Sequence, residues 1–263
     1  MNRKNIKNLI LYSLIFCWAF WGFKPVYAAD GDTLELRDGE IRDGLQIGSV
    51  HEYENLIVWG TSGTTNATVY SGGEANYADN SFGDNTIVNG GVVGVHDNAT
   101  LTDASVLAGS LNANNNSVIT GATVVGGNFN TQDNASTSNV IVEGGFYGHY
   151  STGNAENITI KGGDAEFVNM SGPLVNGLNV QGGNVVLFLG ASATGVEVTG
   201  GNVNVDDAAK LNDVEINGGT VTVSDTADIS NTEIISGLLT VPIMNNYIIK
   251  TTTTEIKNKS FLI

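Results

Sequence analysis

The chain has 263 residues, of which 34 are glycine, three are proline and one is cysteine, and its formal net charge is -16 at pH 7. This charge argues against nucleic acid as a partner, because such binding needs Lys and Arg side chains that neutralise phosphates. It also argues against electrostatic docking onto anionic lipid. Only 14% of the residues are charged and 41% are hydrophobic, so the composition is not that of a disordered chain.

Residues 1–28 have the three parts of a secretory signal peptide. The start is basic over residues 3–7, an apolar stretch comes next over residues 9–23, and the small residue Ala28 precedes a cleavage point before Ala29. The apolar stretch is shorter than the roughly 20 residues that a membrane-spanning helix needs. Cleavage would remove four basic residues and the only cysteine, which leaves 7 basic and 27 acidic residues. We therefore expect a secreted, strongly acidic protein without disulfides.

Residues 29–69 differ from the rest of the chain and are predicted to form an N-terminal capping or transition segment. The stretch "GDTLELRDGEIRDG" is more charged than the repeats after it, and "ENLIVWGTSGTTNATVYSGG" leads into a repetitive region. A repetitive stack of strands has open edges, and such edges need to be covered.

Residues 70–241 contain pairs of glycines that recur every 18 residues, with one gap of 36 and one of 20. A degenerate copy, Ala108-Gly109, lies at the midpoint of the longer gap, and Ser236-Gly237 lies one step beyond the last pair. A fixed period of this kind is typical of stacked structural repeats. We assign structural turns to Gly72, Gly73, Gly90, Gly91, Gly126, Gly127, Gly144, Gly145, Gly162, Gly163, Gly182, Gly183, Gly200, Gly201, Gly218 and Gly219.

Apolar residues alternate on both sides of each pair, as in "VEVTGGNVNV" and "VEINGGTVTV". This period of two indicates strand, turn and strand. The glycines would supply a positive φ and let neighbouring backbones approach closely. A meander of hairpins is the alternative, but it would not need a constant period. The sequence therefore predicts an all-β fold, a parallel β-helix or β-solenoid of about ten 18-residue rungs, since strands stack about 4.8 Å apart.

Residues 242–263 lie after the repeat. This segment contains no glycine and is basic and rich in threonine. We expect it to be a tail outside the repeat.

The repeat resembles a known family. Gly pairs set in V-x-V stretches with "NAT"-like turns, "VYSGG" at residues 69–73 and "VNGG" at residues 88–91 are similar to the AIDA-type repeats of autotransporter adhesin passenger domains. The resemblance covers roughly residues 58–241. It implies a β-solenoid on the surface of a Gram-negative bacterium that mediates cell attachment, self-association or biofilm formation. The implied partners are host-cell or bacterial surface receptors, or a second copy of the chain.

The same resemblance implies a C-terminal translocator barrel, through which alone the protein would be attached to the membrane. The segment after the repeat is too short for the strands of such a barrel. The chain is then either a piece or truncated product of a longer adhesin, or a freestanding secreted solenoid. The change of composition near Met244 favours the first. Location at the cell surface or outside the cell is expected, or in the periplasm if the chain is truncated.

The sequence offers few candidate catalytic or metal-binding residues. His96 and His149 are 53 residues apart, at equivalent turns of the repeat, and about three rungs at ~4.8 Å per rung would keep them too far apart to share a metal. They and His51 are expected to be polar turn residues. The predicted mature chain has no cysteine, which excludes thiolate catalysis. We predict no catalytic, cofactor-binding or metal-binding residue, no cofactor, and no enzymatic activity.

Two rivals to an adhesin stay open. Asp206-Asp207 and Asp225 with Asp228 are acidic pairs, and convergent carboxylates serve glycosidases, so a β-helical polysaccharide-active enzyme is the first alternative. An inert spacer in a larger surface protein is the second.

An aromatic group and three Asn-x-Ser/Thr triplets each allow a structural or a functional interpretation. The group Phe146, Tyr147, His149 and Tyr150 either forms an exposed patch for a partner or fills the core. The Asn-x-Ser/Thr triplets at Asn66, Asn98 and Asn134 are interpreted as turns rather than glycan acceptors, because Asn and Thr favour turns.

Overall fold

The computed structural model describes residues 33–49, 51, 53–168, 174–224 and 226–241. These residues belong to one compact unit that begins at Thr33. The predicted signal peptide, its cleavage point at Ala28 and Ala29, and the tail at 242–263 lie outside the described residues.

The described part of the chain contains β-strands and no helix. The strands are β1 (Thr33–Leu36), β2 (Ile41–Asp43), β3 (Gln46–Ile47), β4 (Asn55–Val58), β5 (Gly63–Thr65), β6 (Thr68–Tyr70), β7 (Glu74–Tyr77), β8 (Phe82–Asp84), β9 (Ile87–Val95), β10 (Thr100–Thr102), β11 (Ser105–Ala113), β12 (Val118–Thr120), β13 (Thr123–Val124), β14 (Asn128–Asp133), β15 (Ser136–Val142), β16 (Phe146–Ser151), β17 (Ala155–Ile160), β18 (Asp164–Val168), β19 (Leu174–Val180), β20 (Asn184–Phe188), β21 (Ser192–Val198), β22 (Asn202–Val205), β23 (Lys210–Val223) and β24 (Asp228–Thr240).

Each strand pairs in parallel with the strand one turn further along the chain, as β14 does with β16 and β16 with β18. All 24 strands join one continuous sheet. The described residues make about 11 turns, about 18 residues apart. The predicted parallel β-solenoid is confirmed, because hairpins would have produced antiparallel pairs.

Residues 33–69, expected to form a capping or transition segment, contain β1 to β6. These strands pair in parallel with β4 to β9. The turns are longer here, since Thr33 pairs with Asn55, 22 positions on, and Asn55 with Glu74, 19 positions on. From Glu74 to Val92 the period reaches 18. The strands stay in register, so the additional residues lie in the bends.

The two-residue insertion predicted from the spacing of the Gly pairs lies between β17 and β20. Ala155 pairs with Val175, and Asp164 with Asn184, each 20 positions on. Part of this turn, residues 169–173, lies outside the described residues.

The core is built from inward side chains that repeat in successive turns. Val198 and Ile216 are completely buried and alternate with more exposed residues along their strands. Ile234, the equivalent in the last turn, is partly buried against the same core. Burying one such side chain stabilises the fold by about 1.5–3 kcal/mol. A single turn cannot enclose its own apolar side chains, so stability depends on contacts between neighbouring turns.

The Gly pairs form a bend where successive turns come into backbone contact. A Cβ on Gly163, which has φ +72°, would lie 2.5 Å from the carbonyl oxygen of Gly145. Real Cβ atoms essentially never approach so closely, so glycine is needed here for space as well as for its positive φ. The degenerate copies follow the same rule, because Gly109 and Gly237 both have a positive φ and a carbonyl oxygen where a Cβ would lie.

A second bend uses Asn and Asp as well as Gly in the left-handed conformation. These residue types tolerate a positive φ better than other residues with a side chain. The residues in this column, one per turn, are Gly44, Asn66, Asn85, Asp103, Gly121, Asn139, Asn157, Gly177, Gly195, Asp213 and Asn231.

Candidate functional site: an outward amide face

The two histidines predicted to be turn residues at equivalent positions are not equivalent in the structure. His149 lies inside β16 and is 2% exposed, whereas His96 comes directly after β9 and is half-buried at the surface. The interpretation of His149 as a turn residue is therefore wrong. The residue equivalent to His96 is Tyr150. Gly94 is linked in register through Asn112 and Asn130 to Gly148, and His96 and Tyr150 each lie two positions after their glycine. His149 and Tyr150 are adjacent in β16, and a step of one residue along a strand turns the side chain to the other face.

His149 belongs to a buried polar network. Its Nε2 donates to the carbonyl oxygen of Gly153 at 3.0 Å, so the neutral ring offers Nδ1 as an acceptor. The hydroxyl of Thr131 lies 2.7 Å from Nδ1, and the hydroxyl of Tyr147 lies 3.2 Å from it. Burial lowers the pKa of His149 to about 4, although the bond to Gly153 opposes the shift. The histidine is thus a neutral structural residue near pH 7.

Tyr147 completes this network and anchors the aromatic core. Its hydroxyl lies 2.7 Å from that of Thr137, and its ring packs against Phe129 and Phe167 with centroids 5.2 and 5.8 Å away. Burial raises the pKa of Tyr147 well above its usual value. Tyr77, whose hydroxyl lies 2.6 Å from that of Thr64, repeats this arrangement nearer the N-terminus.

The aromatic group at residues 146–150 was expected either to fill the core or to form an exposed patch, and the structure divides its members between the two. Tyr147 and His149 point into the core, whereas Phe146 and Tyr150 lie half-buried on the outer face of β16. Tyr150 donates a hydrogen bond of 2.8 Å to Oε2 of Glu166, and burial raises the pKa of this carboxyl group. The alternation along the strand separates the four side chains.

Phe146 and Tyr150 belong to a continuous outward surface, which we call the amide face. It consists of the outer side chains of β7, β9, β11, β14, β16 and β18, together with the residues directly after β9 and β11. One column of this face contains Asn76, Gly94, Asn112, Asn130, Gly148 and Glu166, paired in register. A second column contains His96, Asn114, Gln132 and Tyr150.

Hydrogen bonds between turns order this face. Nδ2 of Asn114 lies 3.3 Å from Nδ1 of His96, and Oδ1 of Asn76 lies 3.4 Å from Nε2 of the same ring. Asn130 donates to Oδ1 of Asn112 at 3.4 Å. The His96 ring is thus held between amides of the two adjacent turns. Desolvation lowers the pKa of His96, although Asp97 opposes the shift, so the ring is neutral near pH 7.

Carboxylates do not converge on one point in the described residues. No group of three or more His, Cys, Asp or Glu residues is placed to hold a metal ion in the part that the structure describes. Asp206 and Asp207 lie in a bend, where the amide of Asp207 donates to Oδ1 of Asp206 at 2.9 Å. Asp225 lies outside the described residues, and Asp228 begins β24.

A column of three glutamates lies on the outer side of the C-terminal turns and was not among the residues predicted from the sequence. Glu197 pairs in register with Glu215, and Glu215 with Glu233, on β21, β23 and β24. Asn179, one turn earlier, donates to Oε2 of Glu197 at 2.8 Å. Their spacing of 18 residues was the available signal. Like charges directly opposite one another on neighbouring strands are destabilising.

The Asn-x-Ser/Thr positions are part of the turns. Asn66 has φ +54° and donates to Oδ1 of Asp43 at 2.7 Å. Asn134 donates to Oδ1 of Asn116 at 2.9 Å. The hydrogen bonds from Thr65 and Asn66 lower the pKa of Asp43. These asparagines therefore have a structural role in linking adjacent turns.

Comparison with known proteins gives a match among solved structures only at the level of the fold. No family model matches the chain, and no curated protein matches it. Within the described residues, no helix is long and apolar enough to cross a membrane. Among solved structures, the fold is similar to that of a TibC-catalysed hyper-glycosylated TibA fragment, with 15% sequence identity and a TM-score of 0.48. The match covers 77% of this chain and 97% of that one.

Proposed function

We propose that the protein is a secreted adhesin-type passenger that mediates attachment to host cells or between bacteria. The observation that carries the proposal is the in-register repetition of outward polar side chains from β7 to β18. The likeness of the Gly-Gly repeat to AIDA-type adhesin repeats supports the same function.

Repetition matters because it presents similar groups at regular intervals. Side chains in one column are separated by about 4.8 Å, the spacing of hydrogen-bonded strands. A partner that is itself extended or repetitive can contact several turns at once. Individually weak contacts then add up through effective concentration.

Attachment can be tested with purified protein on latex beads. Beads that carry the protein are expected to bind epithelial cells saturably, or to aggregate bacteria, and soluble protein is expected to compete. Beads that carry an unrelated protein of similar negative charge are the control. Binding no greater than this control would contradict the proposal and favour the spacer. Release of sugars from pectin or alginate would instead favour the enzyme.

The proposed location is the bacterial surface or the medium. Fractionation of the native bacterium with an antibody against the repeats tests it. A band in the outer membrane or in the medium is expected. A band confined to the periplasm or cytoplasm would contradict surface adhesion.

A further inference from the structure

The amide face contains two rings at the same position of the repeat, three turns apart. Ring atoms of Tyr150 occupy the space that a Cβ on Gly148 would need, and ring atoms of His96 do the same at Gly94. Each ring therefore lies along the strand over a glycine two residues earlier. Both side chains are half-buried, so part of each remains accessible from solvent.

Between the two rings lie two turns of amide side chains. Asn112, Asn114, Asn130 and Gln132 are all half-buried on this face. Each amide has two N–H donors and an oxygen acceptor. The 3.4 Å bond to Asn112 uses one donor hydrogen of Asn130, and the 3.3 Å bond to His96 uses one donor hydrogen of Asn114. Fixed amides of this kind can exchange hydrogen bonds with hydroxyl groups in either direction.

The face is uncharged between the rings, although the chain as a whole carries a net charge of -16. The outer residues of β11, β14 and β16 on this face are amides, Ser110, Phe146, Gly148 and Tyr150. Acidic side chains flank it, with Glu74 at one end, Glu166 at the other, and Asp97 and Asp133 at the adjoining bend. A neutral polyhydroxylated ligand matches the face, and the surrounding carboxylates would repel an acidic one.

We propose that the amide face binds an extended, neutral, β-1,4-linked glycan that crosses successive turns. Sugar rings stack on His96 and Tyr150, and their hydroxyls bond to the amides between them. Three turns at about 4.8 Å place the two rings roughly 14 Å apart. One sugar residue of such a chain advances by nearly the spacing of one turn, so sugars and amides stay in step. This proposal rests on the proposed adhesin function, whose binding surface it specifies.

Isothermal titration calorimetry of the purified protein with cellohexaose tests this proposal, and hexagalacturonate is the acidic ligand for comparison. We expect saturable binding of cellohexaose and weaker or no binding of hexagalacturonate. Tyr150→Ala is expected to weaken binding about tenfold, which corresponds to the loss of one stacking contact. Phe82→Ala is the matched control. The ring of Phe82, on β8, also covers a glycine, Gly63 on β5, but these strands lie away from the amide face. This variant should change the affinity less than twofold.

Two further variants separate the loss of a ligand contact from misfolding, and circular dichroism would reveal misfolding of either one. Tyr150→Phe keeps the ring and should retain most of the affinity. Asn112→Asp keeps the size of the side chain but places a charge between the rings, and should weaken binding. No binding of cellohexaose, or equal losses in Tyr150→Ala and Phe82→Ala, would overturn the glycan proposal. Cell attachment without glycan binding would leave the adhesin function intact, whereas glycan binding without attachment would contradict the adhesin function alone.

Discussion

A Cβ built on Gly163 would lie 2.5 Å from the carbonyl oxygen of Gly145, one turn earlier. The contact recurs along the column of Gly pairs, where backbone meets backbone with no side chain between. Positive φ and lack of space coincide at Gly163, whereas Gly60 has only a positive φ and Gly126 has only the lack of space. The two contributions can therefore be separated by substitution.

Gly163→Ala is expected to destabilise the solenoid more than Gly60→Ala. Gly60 has φ +64°, but no atom lies within 4 Å of the position that a Cβ would take, so its substitution costs only backbone strain, about 1–2 kcal/mol. Gly163→Ala adds a steric clash that costs roughly a further 1–3 kcal/mol. Urea denaturation monitored by circular dichroism measures both. Gly126→Ala, which meets the Leu107 carbonyl oxygen at 2.7 Å without a positive φ, isolates the clash. Equal losses at Gly60 and Gly163 would contradict the steric account.

Tyr147→Phe should destabilise the protein by about 1–2 kcal/mol, because it leaves the buried Thr137 hydroxyl without its partner at 2.7 Å. Adding Thr137→Val removes that hydroxyl as well and should recover part of the loss. A double-mutant cycle of unfolding free energies measures the coupling. If the two losses are simply additive, the hydrogen bond contributes nothing to stability.

Stability should fall as the solution is acidified from pH 6.5 toward pH 4. The pKa of His149 is about 4 in the folded protein, below its unfolded value of about 6.5, so the unfolded chain binds the additional proton in this window. Stability therefore increases with pH between these values, by about 3 kcal/mol for this group. His96 acts in the same direction, whereas the raised pKa of Glu166 acts in the opposite one.

The comparison of His149→Gln with the unsubstituted protein tests this dependence. Melting temperatures from pH 7.5 to pH 4.5 should depend less on pH in the variant. His51→Gln is the matched control and should change the slope less than His149→Gln, because His51 is only half-buried and its ring lies beside that of Tyr70 with centroids 4.5 Å apart. An unchanged slope in His149→Gln would show that another group is responsible.

Glu215→Gln should stabilise the C-terminal turns by about 0.2–1 kcal/mol, because Glu215 lies between Glu197 and Glu233 in one column. The gain should shrink in high salt, which screens exposed charges. Melting temperatures at low and high ionic strength measure it. Glu156→Gln is the matched control, since its register partners are Ser138 and Asn176. A gain that does not depend on salt would point to side-chain propensity instead of charge.

The sequence alone determined the all-β repetitive fold, the 18-residue period and the position of the Gly bend. These features are local and recur, so each copy supports the interpretation of the others. The column of Asn, Asp and Gly residues with a positive φ could also have been found, since Asn139, Asn157 and Asp213 occupy equivalent positions of the repeat. Asn and Asp are common in all turns, which hid the pattern.

Only the tertiary structure decided which side chains face inward and which meet across turns. Tyr147 and His149 enter the core while Phe146 and Tyr150 face outward, and a shift of one residue would exchange them. The Glu197–Glu215–Glu233 column and the amide face join residues 18 positions apart, and their proximity depends on the parallel register between turns. Alternation along a strand is a local property, but its phase is set by the core against which the strand packs.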